Sequence, residues 1–372
     1  MKPQKEQITS LQITFMVTLF EIGSAPLFLL GSHAGQDAWM ATAVGSLAGL
    51  PLLFLFFWIQ SKAADRDWIG LLRSGFGPYI GSILGGTYSF YFAYQSMRNV
   101  RDLGELTKLI LLPATPMFMT MLIFVMTGGY AVWKGIHVVF RLPEMLLPIV
   151  LFLYAMVIAV FFFLKVMDFN RLAPVMENGF WPIVQVAVPN LVSFPFGQTL
   201  VFLMFWSFWE NKGIPVKQTL IGYLIVSLFL IFVNSVIVAV LSAPIASASE
   251  FPMLKAVHSL SSLRFVERLE ILLSILLYVG LYMKMTVFFL CAARAMAFIT
   301  KKTARFWTIP AGVVIFGASF IEQGYAQHFA IGLGPSLKVD VVFQVVVPMI
   351  LICLLLLKGR KNRRAASGGT NK

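Results

Sequence analysis

The chain has 372 residues, of which 59% are hydrophobic and only 12% charged, and its mean hydropathy is +0.83. Soluble domains of this length carry about twice that charged fraction, so the composition excludes a soluble protein. It predicts an all-α polytopic membrane protein, and the apolar runs leave no room for a separate soluble domain.

Ten apolar segments are long enough, or nearly so, to cross a bilayer as helices. We call them the first to tenth spans. They are predicted at Leu11–Leu30, Trp39–Ile59, Tyr79–Met97, Met117–Trp133, Leu146–Leu164, Ile183–Phe208, Leu220–Leu241, Ile271–Ala293, Thr308–Ile321 and Val339–Leu357.

The positive charges are distributed unevenly between the connecting loops. If the N-terminus is cytoplasmic, about two thirds of the 29 Lys and Arg residues lie in cytoplasmic segments. This distribution predicts both termini in the cytoplasm. The net charge of +13 then reflects topology and contact with anionic lipid, and nucleic-acid binding is not expected.

Breaks interrupt the first and the sixth spans. Pro189, Pro195 and Gly197 fall inside the sixth span, and the first contains Glu21-Ile-Gly-Ser-Ala-Pro26. Proline removes a backbone donor, and lipid cannot satisfy the backbone groups that a break frees. Broken helices at corresponding positions of two halves predict a ligand site at the membrane midplane. The alternative is a pair of ordinary proline kinks.

The positions of the breaks predict a 5+5 inverted repeat within one transmembrane domain, residues 1–372. Residues 1–165 form the predicted first five-helix repeat, residues 183–358 the second, and residues 359–372 a basic cytoplasmic tail. Because each half has an odd number of spans, the second half is inverted relative to the first. Segment order alone supports this repeat.

Two charged residues lie deep inside predicted spans, where a charge is costly. Lys284 lies near the middle of the eighth span, and Glu21 lies at similar depth directly before the break in the first. A Glu21–Lys284 ion pair is one interpretation, in which either group could titrate. The other is that each faces a wet cavity independently.

A polar stripe follows one face of the third span. Tyr88, Tyr91 and Gln95 share this face, because their spacing is i, i+3, i+7. The spacing is repeated by Arg98, Arg101 and Glu105, and the last two can form an i,i+4 pair. The stripe predicts either a ligand-lining surface below an outer gate or an interfacial tyrosine belt with a solvated ion pair.

The sequence contains no catalytic signature. No nucleophile elbow, phosphate loop or pair of intramembrane carboxylates occurs, so an enzyme is not predicted. The histidines are scattered through predicted loops without metal-ligand spacing, so we expect no metal site and no cofactor. They are His33, His137, His258 and His328.

Five stretches, in order over nearly the whole length, carry a resemblance to a known family. They are Glu21–Pro26, Arg101–Glu105 running into Leu112–Pro116, Gly135–Glu144, Asp168–Gly179 and Val266–Glu270. With them the chain resembles the B subunits of spore germinant receptors, the GerAB-like spore permease family of the amino acid–polyamine–organocation superfamily.

The resemblance implies a LeuT/APC-like ten-helix fold in the inner membrane of a spore. It also implies a complex with an A subunit and a lipoprotein C subunit, in which the B subunit binds a small germinant, an amino acid or a sugar. The ligand would lie between the broken first and sixth spans and the third and eighth. Carried over by position, the ligand-binding residues are Gly23, Ser24, Ala25, Tyr91, Gln95, Phe194, Phe196, Gly197 and Lys284, with Glu21 and Lys284 as coupling or ion-pair residues.

Two positions depart from the family pattern. Relatives often have a glutamate after the sixth-span glycine, where this chain has the neutral Gln198. Lys284 replaces a small polar residue of some relatives. These residues favour a carboxylate ligand or a neutral molecule such as a sugar, unless Lys284 takes the place of a coupling cation.

The preferred interpretation is therefore a nutrient-sensing receptor subunit. The alternative is a proton-coupled amino acid permease, in which Glu21 or Lys284 carries the proton. A channel would need a continuous polar pore, which the sequence does not show.

Overall fold

The computed structural model describes residues 7–260 and 266–368, with side chains described for 7–260 and 269–358. These residues form helices and connecting turns, apart from a single parallel bridge between Ile8 and Trp209. The side chains of the predicted basic tail, residues 359–372, lie outside the described part.

Each predicted span corresponds to a helical segment, several of them interrupted. The first is Ser10–Ile22 with a 3-10 turn at Ala25–Leu27, and the sixth is Phe180–Val186, a π-turn at Ala187–Leu191 and a 3-10 helix at Phe196–Met204. The tenth is Pro335–Val341, a π-turn at Val342–Val346 and Val347–Gly368. The others are Ala38–Ser61, Pro78–Leu106, Met117–Lys134, Ile136–Phe163, Val216–Leu241, Val266–Thr300 and Ala304–Ala318. Short helices connect them at Trp68–Phe76, Phe169–Leu172, Ala243–Ser247, Pro252–His258 and Tyr325–Leu333.

Among the described residues, 8 helical segments are long and apolar enough to cross a membrane. The remaining two predicted spans are the third, which is 29 residues long but carries several polar and charged side chains, and the ninth, Ala304–Ala318, with 15 residues. The third span runs past its predicted end at Met97 to Leu106, because Arg98, Arg101 and Asp102 are paired inside the protein.

The first span is the centre of the fold. Its residues from Met16 to Ile22 are buried on every side, and it packs against the fifth, seventh and eighth spans.

Glycines on the second span allow the sixth span to pack closely against it. A methyl group added at Gly45 would lie 2.6 Å from Leu191 Cβ, and one added at Gly49 would lie 2.9 Å from Phe196 Cβ.

The predicted breaks in the first and sixth spans are confirmed. The first helix ends at Ile22, and Gly23 leaves helical geometry at φ 15° and ψ −107°. In the sixth span Val188 is extended and the chain turns at Phe194 and Pro195. Gly280 of the eighth span packs against the backbone of Gly23, where any side chain would collide.

A short clip joins the two broken spans at one membrane face. The amide of Ile8 donates to the carbonyl of Phe208 at 2.8 Å, and the amide of Glu210 donates to the carbonyl of Ile8 at 3.1 Å. The Glu210 carboxylate also accepts from the amide of Ser10 at 3.2 Å. The start of the first span is thereby fixed to the end of the sixth.

Candidate functional site

Polar side chains from four spans surround a small cavity at the level of the two breaks. Its volume is about 40 Å³. The lining residues are Ser24, Phe28, Gln95, Arg98, Asn99, Asp102, Phe194, Gln198, Phe329, Gly332, Leu333, Ser336, Leu337 and Asp340. Sites for drug-sized ligands typically measure roughly 300–1,000 Å³. A nutrient can therefore enter only if these spans move apart.

Three of the nine residues predicted to bind ligand line this cavity: Ser24, Gln95 and Phe194. The other six are buried and do not line the cavity. They are Gly23, Ala25, Tyr91, Phe196, Gly197 and Lys284.

Lys284 is fully buried, and its ammonium has no hydrogen-bond partner among the described residues. Two aromatic rings lie near it instead. Its Nζ atom is 5.3 Å from the centroid of Phe20 and 4.7 Å from that of Phe194, within the range of cation–π attraction. Phe194 also lines the cavity, so the same ring contacts both the lysine and the ligand space.

Glu21 is also fully buried, and neither carboxylate oxygen has a hydrogen-bond partner in the described part of the chain. The Glu21–Lys284 ion pair, one of the two interpretations of these residues, is not formed within 4.0 Å there. The lysine stem packs over Gly23, with Cδ close to where a methyl group would be, and its ammonium points to the rings of Phe20 and Phe194. Neither charged group lines the cavity.

The tyrosines of the polar stripe on the third span form hydrogen bonds and ring contacts with the tenth span. Tyr88 donates to the carbonyl of Phe343 at 2.5 Å, and the hydroxyl of Tyr91 accepts from Gln344 Nε2 at 2.9 Å. The Tyr91 ring stacks on Phe343 with centroids 4.4 Å apart. Both tyrosines are buried, so the interpretation as an interfacial belt is wrong for them. They anchor the π-turn of the tenth span.

Gln95 connects three of the four spans that form the cavity. Its Nε2 atom donates to Asp340 Oδ1 at 2.6 Å, and its Oε1 atom accepts from Gln198 Nε2 at 3.4 Å. Asp340 is buried, with 2% of its surface exposed. A carboxylate, two amides and the hydroxyl of Ser24 therefore face the same small space.

Arg98 and Asp102 of the cavity wall belong to a cluster of charged and polar side chains. Arg98 pairs with Glu322 at 3.1 Å and donates to the carbonyl of His328 at 2.8 Å. The His328 ring contacts Glu322 through Nδ1 and lies 3.1 Å from Asp102 through Nε2. Tyr325 donates to the same aspartate at 3.3 Å. These five residues form the charged cluster.

The charged cluster and the neighbouring Arg101–Glu105 pair test two expectations from the sequence. His328 lies buried in the helix Tyr325–Leu333 rather than in a loop. The expected Arg101–Glu105 pair is formed, at 2.7 Å. Burial raises the pKa of Glu322, but the hydrogen bond from His328 and the charge of Arg98 outweigh burial, so that the pKa lies below its usual value.

Aromatic side chains separate the cavity from a second one of about 70 Å³. Phe28 lies 6.1 Å from Phe194 and 5.6 Å from Phe329 between ring centroids. The second cavity extends past Phe28 to His33 and Asn190. The two cavities mark a path from the ligand space toward the face where the first span ends.

Sequence reasoning missed several residues of this site, chiefly Asp340 and Asp102. Asp340 had a signal, though a weaker one than Lys284, since it lies at the start of the predicted tenth span, where an acidic residue costs less than at the centre. Within the described residues, no group of His, Cys, Asp and Glu could hold a metal ion.

The chain is similar in sequence to known spore germination proteins. A family model described as "Spore germination protein" matches residues 7–327. The chain is 26% identical over 369 residues to spore germination protein KB of Bacillus subtilis (strain 168), covering 98% of both chains. It is 25% identical over 280 residues to spore germination protein A2 of the same organism, covering 75% of this chain and 74% of the relative.

Two solved structures share the fold at low sequence identity. MhsT in complex with L-phenylalanine superposes with a TM-score of 0.67 and 12% identity, over 95% of this chain and 99% of that chain. Mhp1 is a nucleobase-cation-symport-1 family transporter, solved in a closed conformation with bromovinylhydantoin bound. It superposes with a TM-score of 0.60 and 15% identity, over 91% of this chain and 77% of that chain. The fold is thus that of LeuT-like transporters, and the chain belongs to the spore germination protein family of spore permeases.

Proposed function

We propose that this chain is the B subunit of a spore germinant receptor. It binds a small nutrient germinant, an amino acid or a sugar, in the cavity between the first, third, sixth and tenth spans. It then passes a conformational change to an A subunit and a lipoprotein C subunit in the spore inner membrane, with both termini on the core side. The observation that carries the proposal is the polar cavity at the junction of the two broken spans.

The size of the cavity supports a sensing mechanism. A ligand shifts a conformational equilibrium only if it binds one state more tightly than the other. At about 40 Å³ the cavity must widen to admit a nutrient, so the ligand stabilises a widened state. The clip at Ile8 fixes the first span to the sixth, and we infer that these spans move as one unit against the third and tenth.

Substitution of a residue of the cavity wall tests this proposal. Gln198→Leu keeps the side-chain size and removes the hydrogen bond to Gln95. Spores with this receptor alone are exposed to amino acids, sugars and salts, and germination and receptor abundance are measured. We expect a weaker response or an altered choice of nutrient at normal abundance.

Lys108→Ala is the matched control, since Lys108 is exposed at the end of the third span, away from the cavity. If Gln198→Leu germinates like this control with every nutrient, ligand recognition lies in another subunit. Flanking genes for a large A-type subunit and a C-type lipoprotein would support the proposed complex.

A proton-coupled amino acid permease is the second candidate. Glu21, buried without a hydrogen-bond partner in the described residues beside the first break, favours it, as does the transporter fold. Uptake of radiolabelled amino acids into proteoliposomes, driven by a proton gradient and lost in Glu21→Gln, would establish transport. No uptake in the presence of a germination response would favour the receptor. Neither function requires catalysis, and we infer that the chain is not an enzyme.

A further inference from the structure

We propose that Asp340 anchors a positively charged nitrogen of the germinant, so that the receptor selects amino acids or other amines over sugars. This inference rests on the proposed function and adds the chemical class of the ligand. Asp340 lies in the helix Pro335–Val341 and lines the cavity. It was not among the residues predicted from sequence.

The first argument is the balance of charge around the cavity. Three lining residues are charged: Arg98, Asp102 and Asp340. Arg98 is paired with Glu322, and Asp102 accepts from Tyr325 and contacts His328. Among the described residues, no cation lies within ion-pair distance of Asp340. Unlike Arg98 and Asp102, Asp340 forms no ion pair with a described residue.

Lys284, the buried cation of the eighth span, forms no ion pair with this carboxylate. Its Nζ atom lies over the ring of Phe194, and that ring lines the cavity whereas Lys284 does not. A carboxylate buried at this depth of a membrane protein is costly unless a cation or hydrogen-bond donors offset its charge. A ligand ammonium in the cavity would supply both.

The second argument is that Asp340 is held in place by neutral groups. Gln95 Nε2 donates to its Oδ1 atom, and Gln95 is itself held by Gln198. The hydroxyl of Tyr91 faces the same carboxylate. These donors orient the side chain and carry no charge themselves, and a charge-assisted hydrogen bond to an oriented carboxylate is stronger than one between neutral groups.

The third argument comes from the rest of the cavity wall. Phe28, Phe194 and Phe329 line the cavity, and Phe28 makes edge-to-face contacts with the other two rings. Aromatic faces attract cations, and an ammonium between rings and a carboxylate gains from both. A sugar would gain neither the charge interaction nor the cation–π attraction.

Matched pairs of ligands test the proposal directly. Spores with this receptor alone are given L-alanine, L-valine or L-phenylalanine, and in parallel the 2-hydroxy acid in which a hydroxyl replaces each ammonium, together with D-glucose. We expect at least one amino acid to trigger germination and its hydroxy acid to fail. In Asp340→Asn the half-maximal amino acid concentration should rise about 10- to 100-fold, as expected for a lost charged hydrogen bond.

Asp37→Asn is the matched control. Asp37 is buried like Asp340, but its carboxylate accepts from the amide of Met176, away from the cavity. Binding is measured separately as the thermal shift of the purified protein with the same ligand pairs, and Asp340→Glu is included in case the asparagine variant is poorly folded. Partial recovery in Asp340→Glu supports an ammonium contact.

Three results would overturn the inference. Wild-type spores could respond to glucose or a hydroxy acid as well as to an amino acid, which would leave the proposed function standing. Asp340→Asn could keep the wild-type half-maximal concentration. It could also lose germination while the thermal shift persists, in which case Asp340 transmits binding or carries a proton. If no ligand produces either germination or a thermal shift, both the inference and the proposed function fail.

Discussion

The ammonium of Lys284 lies 4.7 Å from the ring centroid of Phe194, and that same ring lines the cavity between the broken spans. The buried charge of the eighth span thus meets the ligand space through an aromatic side chain. Rotation of Phe194 about its side-chain bonds would expose the lysine to the cavity or screen it. We therefore expect ligand occupancy and the position of this ring to be coupled.

Lys284→Met tests that coupling. Methionine keeps much of the side-chain length and removes an ammonium that has no hydrogen-bond partner among the described residues. We expect the purified protein to become more stable, because the cost of burying the unpaired ammonium disappears. We expect germinant sensitivity to change at least several-fold. Thermal unfolding and germination assays measure the two effects, with Lys108→Met as the exposed control. If both variants have the same stability and the same germinant sensitivity, Lys284 has no particular role in ligand sensing.

Gly197→Leu tests the break in the sixth span. A methyl group at this position would lie 2.6 Å from the carbonyl oxygen of Val192 and would collide with the amide of Gln344. The sixth and tenth spans must therefore separate, and we expect loss of the germination response. Gly86→Leu is the matched control, because a methyl group there meets nothing within 4 Å. A normal response in Gly197→Leu spores would show that this close contact is dispensable.

The fold was largely predictable, because the features that set it are local. Pro195, Gly197 and the Gly23–Pro26 stretch restrict or free the backbone wherever they occur, so they revealed both breaks. The contact between Gln95 and Asp340 joins residues 245 positions apart in the chain. It depends on how the third and tenth spans pack, which no local pattern encodes.

His328 shows why a local pattern can also mislead. Glu322, Gln323 and Gln327 make its neighbourhood read as an exposed loop. The structure buries His328 because Asp102 and Arg98, on the distant third span, supply partners for its ring and for Glu322. Partners of this kind become visible only once the spans are assembled.

The charged cluster predicts an acid-dependent stability. The pKa of Glu322 lies below its usual value, because the His328 hydrogen bond and the charge of Arg98 outweigh burial. Its stabilising contribution is therefore present above the pKa of an unfolded glutamate, about 4.3, and is lost as the pH falls through the lower folded pKa. We expect Glu322→Gln to be less stable than wild type at pH 7, by about 1–3 kcal/mol.

The difference between wild type and Glu322→Gln should narrow as the pH is lowered below about 4. Thermal unfolding of both proteins between pH 3 and pH 8 measures it. Glu177→Gln, at an exposed glutamate that accepts from Gln36, is the control. A stability difference that stays constant across this range would argue against ionised Glu322 as the source of the effect.

Asn234 of the seventh span holds the chain that follows the first break. Its Nδ2 atom donates to the carbonyl of Leu30 at 2.8 Å and to Thr42 Oγ1 at 2.7 Å. Hydrogen bonds between membrane helices contribute about 0.6 kcal/mol on average and up to about 1.7 kcal/mol. Asn234→Leu loses two of them and leaves the Leu30 carbonyl without this donor, so we expect a loss of about 1–3 kcal/mol.

The position of this anchor also predicts where the structure loosens. Since Leu30 lies between the break and the second span, Asn234→Leu should speed amide hydrogen exchange around Leu27–Gly31 more than elsewhere in the first span. Ser227→Ala, which removes a bond within the same helix to the carbonyl of Tyr223, is the control. Exchange that rises equally along the whole first span would mean that Asn234 stabilises the bundle in general, and that the segment after the break is held by packing alone.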